Sequence, residues 1–135
     1  MASISTQTEA DQSVSPINRE ILGVRILATG SYAPDNEVLN EDLAQLGFDA
    51  DWITQRTGIL ARRHAFEDEA TSDMAIAAAE KCIANAGVNV NDIDMIFVAT
   101  MTPDHYTPST ACLVQRHLGC VASAVDMNAA CSGFM

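Results

Sequence analysis

Cys131 is the residue of this sequence best placed to do chemistry, because of what surrounds it. The run Asn128-Ala129-Ala130-Cys131-Ser132-Gly133-Phe134 directly follows an apolar stretch, residues 122–127, that reads as a strand. In open α/β sheets, sites form beyond the carboxyl ends of strands. A helix beginning near Cys131 would bring unpaired N–H groups and a positive dipole end to the sulfur, favouring the thiolate. The small neighbours Ala129, Ala130, Ser132 and Gly133 let a substrate approach the sulfur closely. The same logic governs the strand–nucleophile–helix elbow of hydrolases. The plain alternative is a cysteine that merely fits a tight turn, and the residues alone leave both readings open.

The elements that would position this cysteine are legible upstream. Residues 93–100 (IDMIFVAT) form an apolar run suited to a central strand. Ser109, after Pro108, can cap a helix through Leu118 that Gly119 ends. Strand, helix, strand at these lengths is a βαβ unit, which predicts two parallel strands with a right-handed crossover. The clearest helix runs over 71–86, where Ala75, Ala78, Ala79, Cys82, Ile83 and Ala86 make one apolar stripe before Gly87. Residues 21–29 (ILGVRILAT) read as a buried strand, stopped by the turn residues 30–34. Asn40 is the expected cap of a short helix through Leu46, and Asp49 of a second one carrying Trp52, Ile53 and Arg56. The predicted class is α/β, with a mixed sheet and helices on its faces.

Composition narrows the function. Residues 1–20 are polar and interrupted by Pro16, and they are expected to be a disordered tail before a folded unit over 21–135. Eighteen acidic residues against seven basic give a net charge of −11. That balance disfavours nucleic acid or an anionic membrane as partner, because phosphates need Lys and Arg to neutralise them. No apolar run has the length of a membrane span, and no signal-peptide pattern opens the chain, so the cytoplasm is the expected compartment. The four cysteines, Cys82, Cys112, Cys120 and Cys131, form no CxxC or Cys/His pair, so no metal is expected. Cys82 and Cys112 lie in helices as packing residues, and Cys120 is a packing or turn residue.

Residues 94–119, DMIFVATMTPDHYTPSTACLVQRHLG, closely resemble the pattern D-x-I-x-V-A-T-x-T-P-D-x-x-x-P-S-x-A-C-x-V-Q-x-x-L-G of β-ketoacyl-acyl-carrier-protein synthase III. Residues 124–134, AVDMNAACSGF, resemble the active-site segment of that family. Gly30-Ser31-Tyr32-Ala33-Pro34, Trp52-Ile53, Arg56-Thr57-Gly58-Ile59 and Thr71-Ser72-Asp73-Met74-Ala75 also match in order and spacing. The resemblance covers about 22–135. It implies the N-terminal half of a thiolase-like, layered α-β-α-β-α fold. The implied reaction transfers a short acyl group from coenzyme A to Cys131. Malonyl-acyl carrier protein then loses carbon dioxide, and its carbanion attacks the thioester to give a 3-oxoacyl product. A thiolate and its thioester suit both steps, and backbone N–H groups at the turn, that of Cys131 included, can hold the oxyanion.

By the same resemblance, Trp52 stacks on the adenine of coenzyme A, and Arg56 and Thr57 lie near its entrance. The plain alternatives are core packing for Trp52 and a solvated charge for Arg56. The run Gly47-Phe48-Asp49-Ala50-Asp51 departs from the D-T-S-D-E that often precedes this tryptophan. Thr107 stands where several members place a bulky Phe at the acyl pocket of the neighbouring subunit, which implies a homodimer and room for longer or branched chains. The family's His and Asn come from a second half that the sequence does not contain. The segment alone is therefore expected to be inactive and to expose apolar surface. Other readings are a related synthase of secondary metabolism, a non-catalytic binding fragment, or a cysteine hydrolase using His105 as base. His64, His105 and His117 match no catalytic histidine of the family.

Overall fold

The computed structural model describes residues 23–134. The tail expected over 1–20, together with Ile21, Leu22 and Met135, lies outside the described residues.

Four strands and three α-helices follow one another as β1 (Glu37–Leu39), α1 (Ala50–Thr57), β2 (Ala61–Arg63), α2 (Thr71–Ala86), β3 (Met95–Ala99), α3 (Thr110–Leu118) and β4 (Ser123–Met127). Two 3-10 helices, Glu41–Leu46 and Val90–Asp92, lie between them, and a third, Ala130–Phe134, follows β4. Both kinds of strand pairing occur, in separate two-stranded sheets. β1 runs antiparallel to β2, with Val38 opposite Arg62. β3 runs parallel to β4, with Phe97 opposite Val125. β3, α3 and β4 are the βαβ unit that the spacing predicts.

α3 is the centre of the core. Ala111 and Val114 on its inner face are 0% and 2% exposed, and Cys120 and Ala122, which lead into β4, are buried beside them. Ser109 caps this helix by accepting the N–H of Cys112 at 3.3 Å. Asp49 caps α1 in the same way, through the N–H of Asp51 at 3.2 Å. α2 packs on α3. Its alanine stripe is half-buried and carries Cys82 as expected.

One face of the parallel pair is covered by α3, while Met95, Phe97, Val125 and Met127 on the other face stay exposed. Alternation along a strand produces this division, since successive side chains point to opposite faces. No helix among the described residues is long and apolar enough to cross a membrane.

The strand expected over 21–29 is not formed by its described residues. From Gly23 to Thr29 the chain pairs with no strand, and Val24, Ile26 and Leu27 are exposed. An apolar run becomes a strand only when a neighbouring edge accepts its hydrogen bonds, and among the described residues none does. Side chains of α2 hold the segment instead. Asn85 donates to the Thr29 carbonyl at 3.0 Å, and Lys81 donates to that of Ser31 at 3.1 Å. The Lys81 ammonium also lies 5.4 Å from the centre of the Tyr32 ring. Tyr32 donates its phenol hydrogen to Glu69, and this bond, with some desolvation, pushes the phenol above its usual 10.0.

Gly30 lets the segment lie against the helix. A Cβ there would come within 2.3 Å of the Ala78 carbonyl oxygen and 2.4 Å of the Cys82 nitrogen. Both are backbone atoms of a helix and cannot rotate aside. Gly30→Ala should therefore cost about 2 kcal/mol or more of stability, the scale of overpacking a close contact. Urea denaturation measures this, and a midpoint equal to that of the unmodified protein would count against the contact.

Candidate active site

The turn after β4 presents Cys131. Ala130 just before it has φ 45°, the left-handed region, in a residue that carries a Cβ. Such a conformation costs about 1–2 kcal/mol and persists only where its surroundings enforce it. Part of that enforcement comes from the 3-10 turn Ala130–Phe134, in which Ser132 donates both its N–H (3.0 Å) and its hydroxyl (2.8 Å) to the Ala129 carbonyl. The rest is contact with β3, for a Cβ on Gly133 would sit 2.9 Å from that of Ala99. The turn thus lies over the carboxyl end of β3 and continues from that of β4, where the topology places a site. Cys131 is exposed.

The described residues at Cys131 form the 3-10 turn Ala130–Phe134. An exposed sulfur behind a left-handed residue is what this geometry offers for reaction.

Beside the turn, a cleft of about 870 Å³ opens between the loop 100–109 and the end of β4, lined by Met101, Asp104, His105, Tyr106, Asp126 and Asn128 among others. Neither Cys131 nor Thr107 is among its lining residues. Thr107 is exposed on the same loop. His105 lines a cleft that Cys131 does not, so a Cys131–His105 pair gains no support.

The second group of candidates sits on α1. Trp52 is 50% exposed rather than packed in the core. The Phe48 ring stacks beside it with centroids 6.1 Å apart, and the Arg56 guanidinium lies 5.8 Å from the indole centre. Trp52 and Arg56 share a face because they are four residues apart. Together they form an exposed aromatic and cationic platform. Thr57 is occupied locally: its hydroxyl donates to the Ile53 carbonyl at 2.7 Å and accepts the N–H of Ile59 at 3.1 Å. It closes the helix beside Gly58.

Asn40, read as a helix cap, does other work. It is 2% exposed and makes no cap bond. Its amide nitrogen donates to the Thr54 hydroxyl (3.0 Å) and the Ile59 carbonyl (2.8 Å), while its oxygen accepts from Arg62 at 2.6 Å. Asn40 thereby ties α1 to the β1–β2 pair. Two carboxylates with structural importance were also missed, Asp104 and Asp126. The available signal was an acid inside the apolar run 122–127, since a charge there must find a partner. His117 pairs instead with Glu80 of α2 at 2.9 Å. No cluster of three or more metal-binding side chains occurs among the described residues.

A parallel βαβ unit that delivers an exposed cysteine beyond its second strand, behind a left-handed residue, defines part of a thiolase-type α/β fold. Comparison with known proteins makes the class specific: in sequence and in fold the chain resembles β-ketoacyl-acyl-carrier-protein synthase III. It is 63% identical over 113 residues to the Rhodopirellula baltica protein of that name, an overlap of 84% of this chain and 33% of the relative. The crystal structure of 3-oxoacyl-[acyl-carrier-protein] synthase III from Aquifex aeolicus aligns with TM-score 0.79 and 44% identity, over 83% of this chain and 37% of that one. A priming β-ketosynthase of a polyketide biosynthetic pathway aligns at TM-score 0.75 and 37% identity, over 82% of this chain and 34% of that one. No family model matches the sequence. The chain spans about a third of the length of the curated relatives it matches.

Proposed function

We propose that this segment is the nucleophile-bearing portion of a condensing enzyme of fatty acid synthesis. The thiolate of Cys131 attacks the thioester carbonyl of an acyl-CoA, coenzyme A leaves as its thiol, and the acyl group stays on sulfur. Decarboxylation of malonyl-acyl carrier protein then supplies the carbanion that displaces Cys131 and forms the 3-oxoacyl product. The observation that carries this reading is the exposed Cys131 behind the left-handed Ala130 at the end of β4. The curated relatives named synthase III, at 63% and 53% identity, support the fatty acid reading over secondary metabolism.

The Trp52–Arg56 platform is the proposed seat of the coenzyme A adenine. An exposed indole offers a stacking face, and the guanidinium adds positive charge for phosphate. Thr57 supports that seat by holding the end of α1. Thr107 is the proposed wall of the acyl pocket, contributed across a homodimer, which sedimentation of the full-length protein would test. Cytoplasmic location follows from the same reading, and fractionation of the source cells would check it.

The test is a series of acyl-CoA chain lengths, applied to a polypeptide that extends this segment to the length of its relatives. Acyl transfer to Cys131 is read by mass. Trp52→Ala should raise KM about tenfold for every chain length alike, the effect of losing one aromatic anchor of about 1–2 kcal/mol. Thr107→Phe should suppress only the longer chains. Failure of the unmodified protein to acquire an acyl group on Cys131 would overturn the proposal.

A further inference from the structure

Loop 100–109 carries Thr107 and forms one wall of the cleft, yet it has no regular secondary structure to hold it. Its anchor is a carboxylate. Asp104 accepts the backbone N–H of Ser72 at 2.9 Å and the Ser72 hydroxyl at 2.5 Å, both in the first turn of α2. Ser72 is 7% exposed. The N–H of Asp104 donates to the Thr110 hydroxyl at 3.2 Å, and Thr110 is 0% exposed at the start of α3. Thr110 in turn gives its N–H to Asp126 of β4 at 2.7 Å. A second tie runs alongside, from the Thr71 hydroxyl to the Thr102 carbonyl at 2.6 Å. The loop is thus pinned to two helix starts, and through Thr110 to the strand that ends four residues before Cys131.

A carboxylate suits this place for two reasons. The first turn of a helix leaves N–H groups without internal partners, and the dipole there favours a negative charge. A carboxylate has two acceptor oxygens, enough to take the Ser72 N–H and hydroxyl together.

We propose that Asp104 is a positioning residue that sets acyl-chain selectivity. It holds loop 100–109 against the starts of α2 and α3, and so fixes the cleft wall and the place of Thr107. The inference rests on the acyl-transfer reading above, and goes beyond it by assigning selectivity to a residue that need not touch the acyl chain. Asp104→Asn keeps the volume and one acceptor oxygen for the Ser72 N–H, but it loses the charge that the helix start favours and makes the Ser72 hydroxyl turn from donor to acceptor. Ser72→Ala removes only the hydroxyl arm.

The test uses full-length protein and the acyl-CoA series, with two further readouts. Circular dichroism and urea denaturation establish that each variant is folded, and amide exchange at Ser72 reports the tie itself. The ratio of kcat/KM for the longest accepted chain to that for acetyl-CoA should change about tenfold in Asp104→Asn, the scale at which pocket contacts discriminate chain length. Ser72→Ala should change it less and in the same direction, with faster exchange at Ser72 in both. If Asp104→Asn does not fold, the milder Ser72→Ala decides by the same ratio. A folded variant with faster exchange at Ser72 and an unchanged ratio overturns the inference and leaves acyl transfer standing. An unmodified protein that takes no acyl group on Cys131 overturns both.

Discussion

Cys131→Ser should lower acyl transfer from acyl-CoA by about a thousandfold or more, the scale of losing the nucleophile of a covalent mechanism. The chemical reason is the difference between sulfur and oxygen. A thiol is ionised to a few per cent near neutral pH and is intrinsically nucleophilic, whereas a serine hydroxyl needs an adjacent base. Two of the three histidines are engaged elsewhere: His117 is paired with Glu80, and His105 lines a cleft that Cys131 does not. The measurement is incorporation of a radiolabelled acetyl group, with peptide mapping to locate it. In the unmodified protein the label should sit on Cys131 and spare Cys82, Cys112 and Cys120, which are half-buried or buried. Wild-type labelling of Cys131→Ser, or label on any of the other three cysteines, would show that the reactive sulfur has been misassigned.

The parts of this fold that were readable from sequence are those fixed by local chemistry. Ser109 and Asp49 cap α3 and α1 because their side chains reach the N–H groups two or three residues on. Gly58, Gly87 and Gly119 end the three α-helices in the left-handed conformation, and only local geometry is needed to see why. The β3–α3–β4 unit followed from lengths and the handedness of crossovers. What failed depended on partners distant in sequence. Residues 23–29 have strand composition but no edge to join among the described residues. Asn40 has the residue type of a cap, yet the packing of α1 against β1 and β2 offers it better partners in Thr54, Ile59 and Arg62. At the site, small residues around Cys131 foretold an open turn, and exposure agrees. The described residues 130–134 form a 3-10 turn in which Gly133 passes close to Ala99. The chemistry of Asp104 and Asp126 was hidden for the same reason, as each meets donors brought close only by the packing of helix starts against strand ends.

Asp126 is where such a distant partnership should matter most to stability. Its carboxylate accepts the N–H of Thr110 at 2.7 Å and that of Ala111 at 2.8 Å, the first two residues of α3. Both residues are 0% exposed, and the carboxylate itself lines the cleft, so cleft water entering in its place offsets only part of the loss. Asp126→Ala leaves two buried donors unpaired and removes the negative charge that the helix start favours. The expected loss is about 2–4 kcal/mol, from the cost of unsatisfied buried groups and hydrogen bonds to charge. Asp126→Asn keeps one acceptor oxygen and should lose roughly half of that. Urea denaturation of the two variants reads the order directly, and a shifted midpoint with an unchanged slope assigns the effect to the folded state. Hydrogen exchange should localise it, with the amides of Thr110 and Ala111 losing protection first. α3 carries Ala111 and Val114 of the buried core and β4 leads into the cysteine turn, so the same substitution should also slow acylation of Cys131. An Asp126→Ala protein as stable as the original, with protected amides at 110 and 111, would mean that the start of α3 is held by something other than this carboxylate.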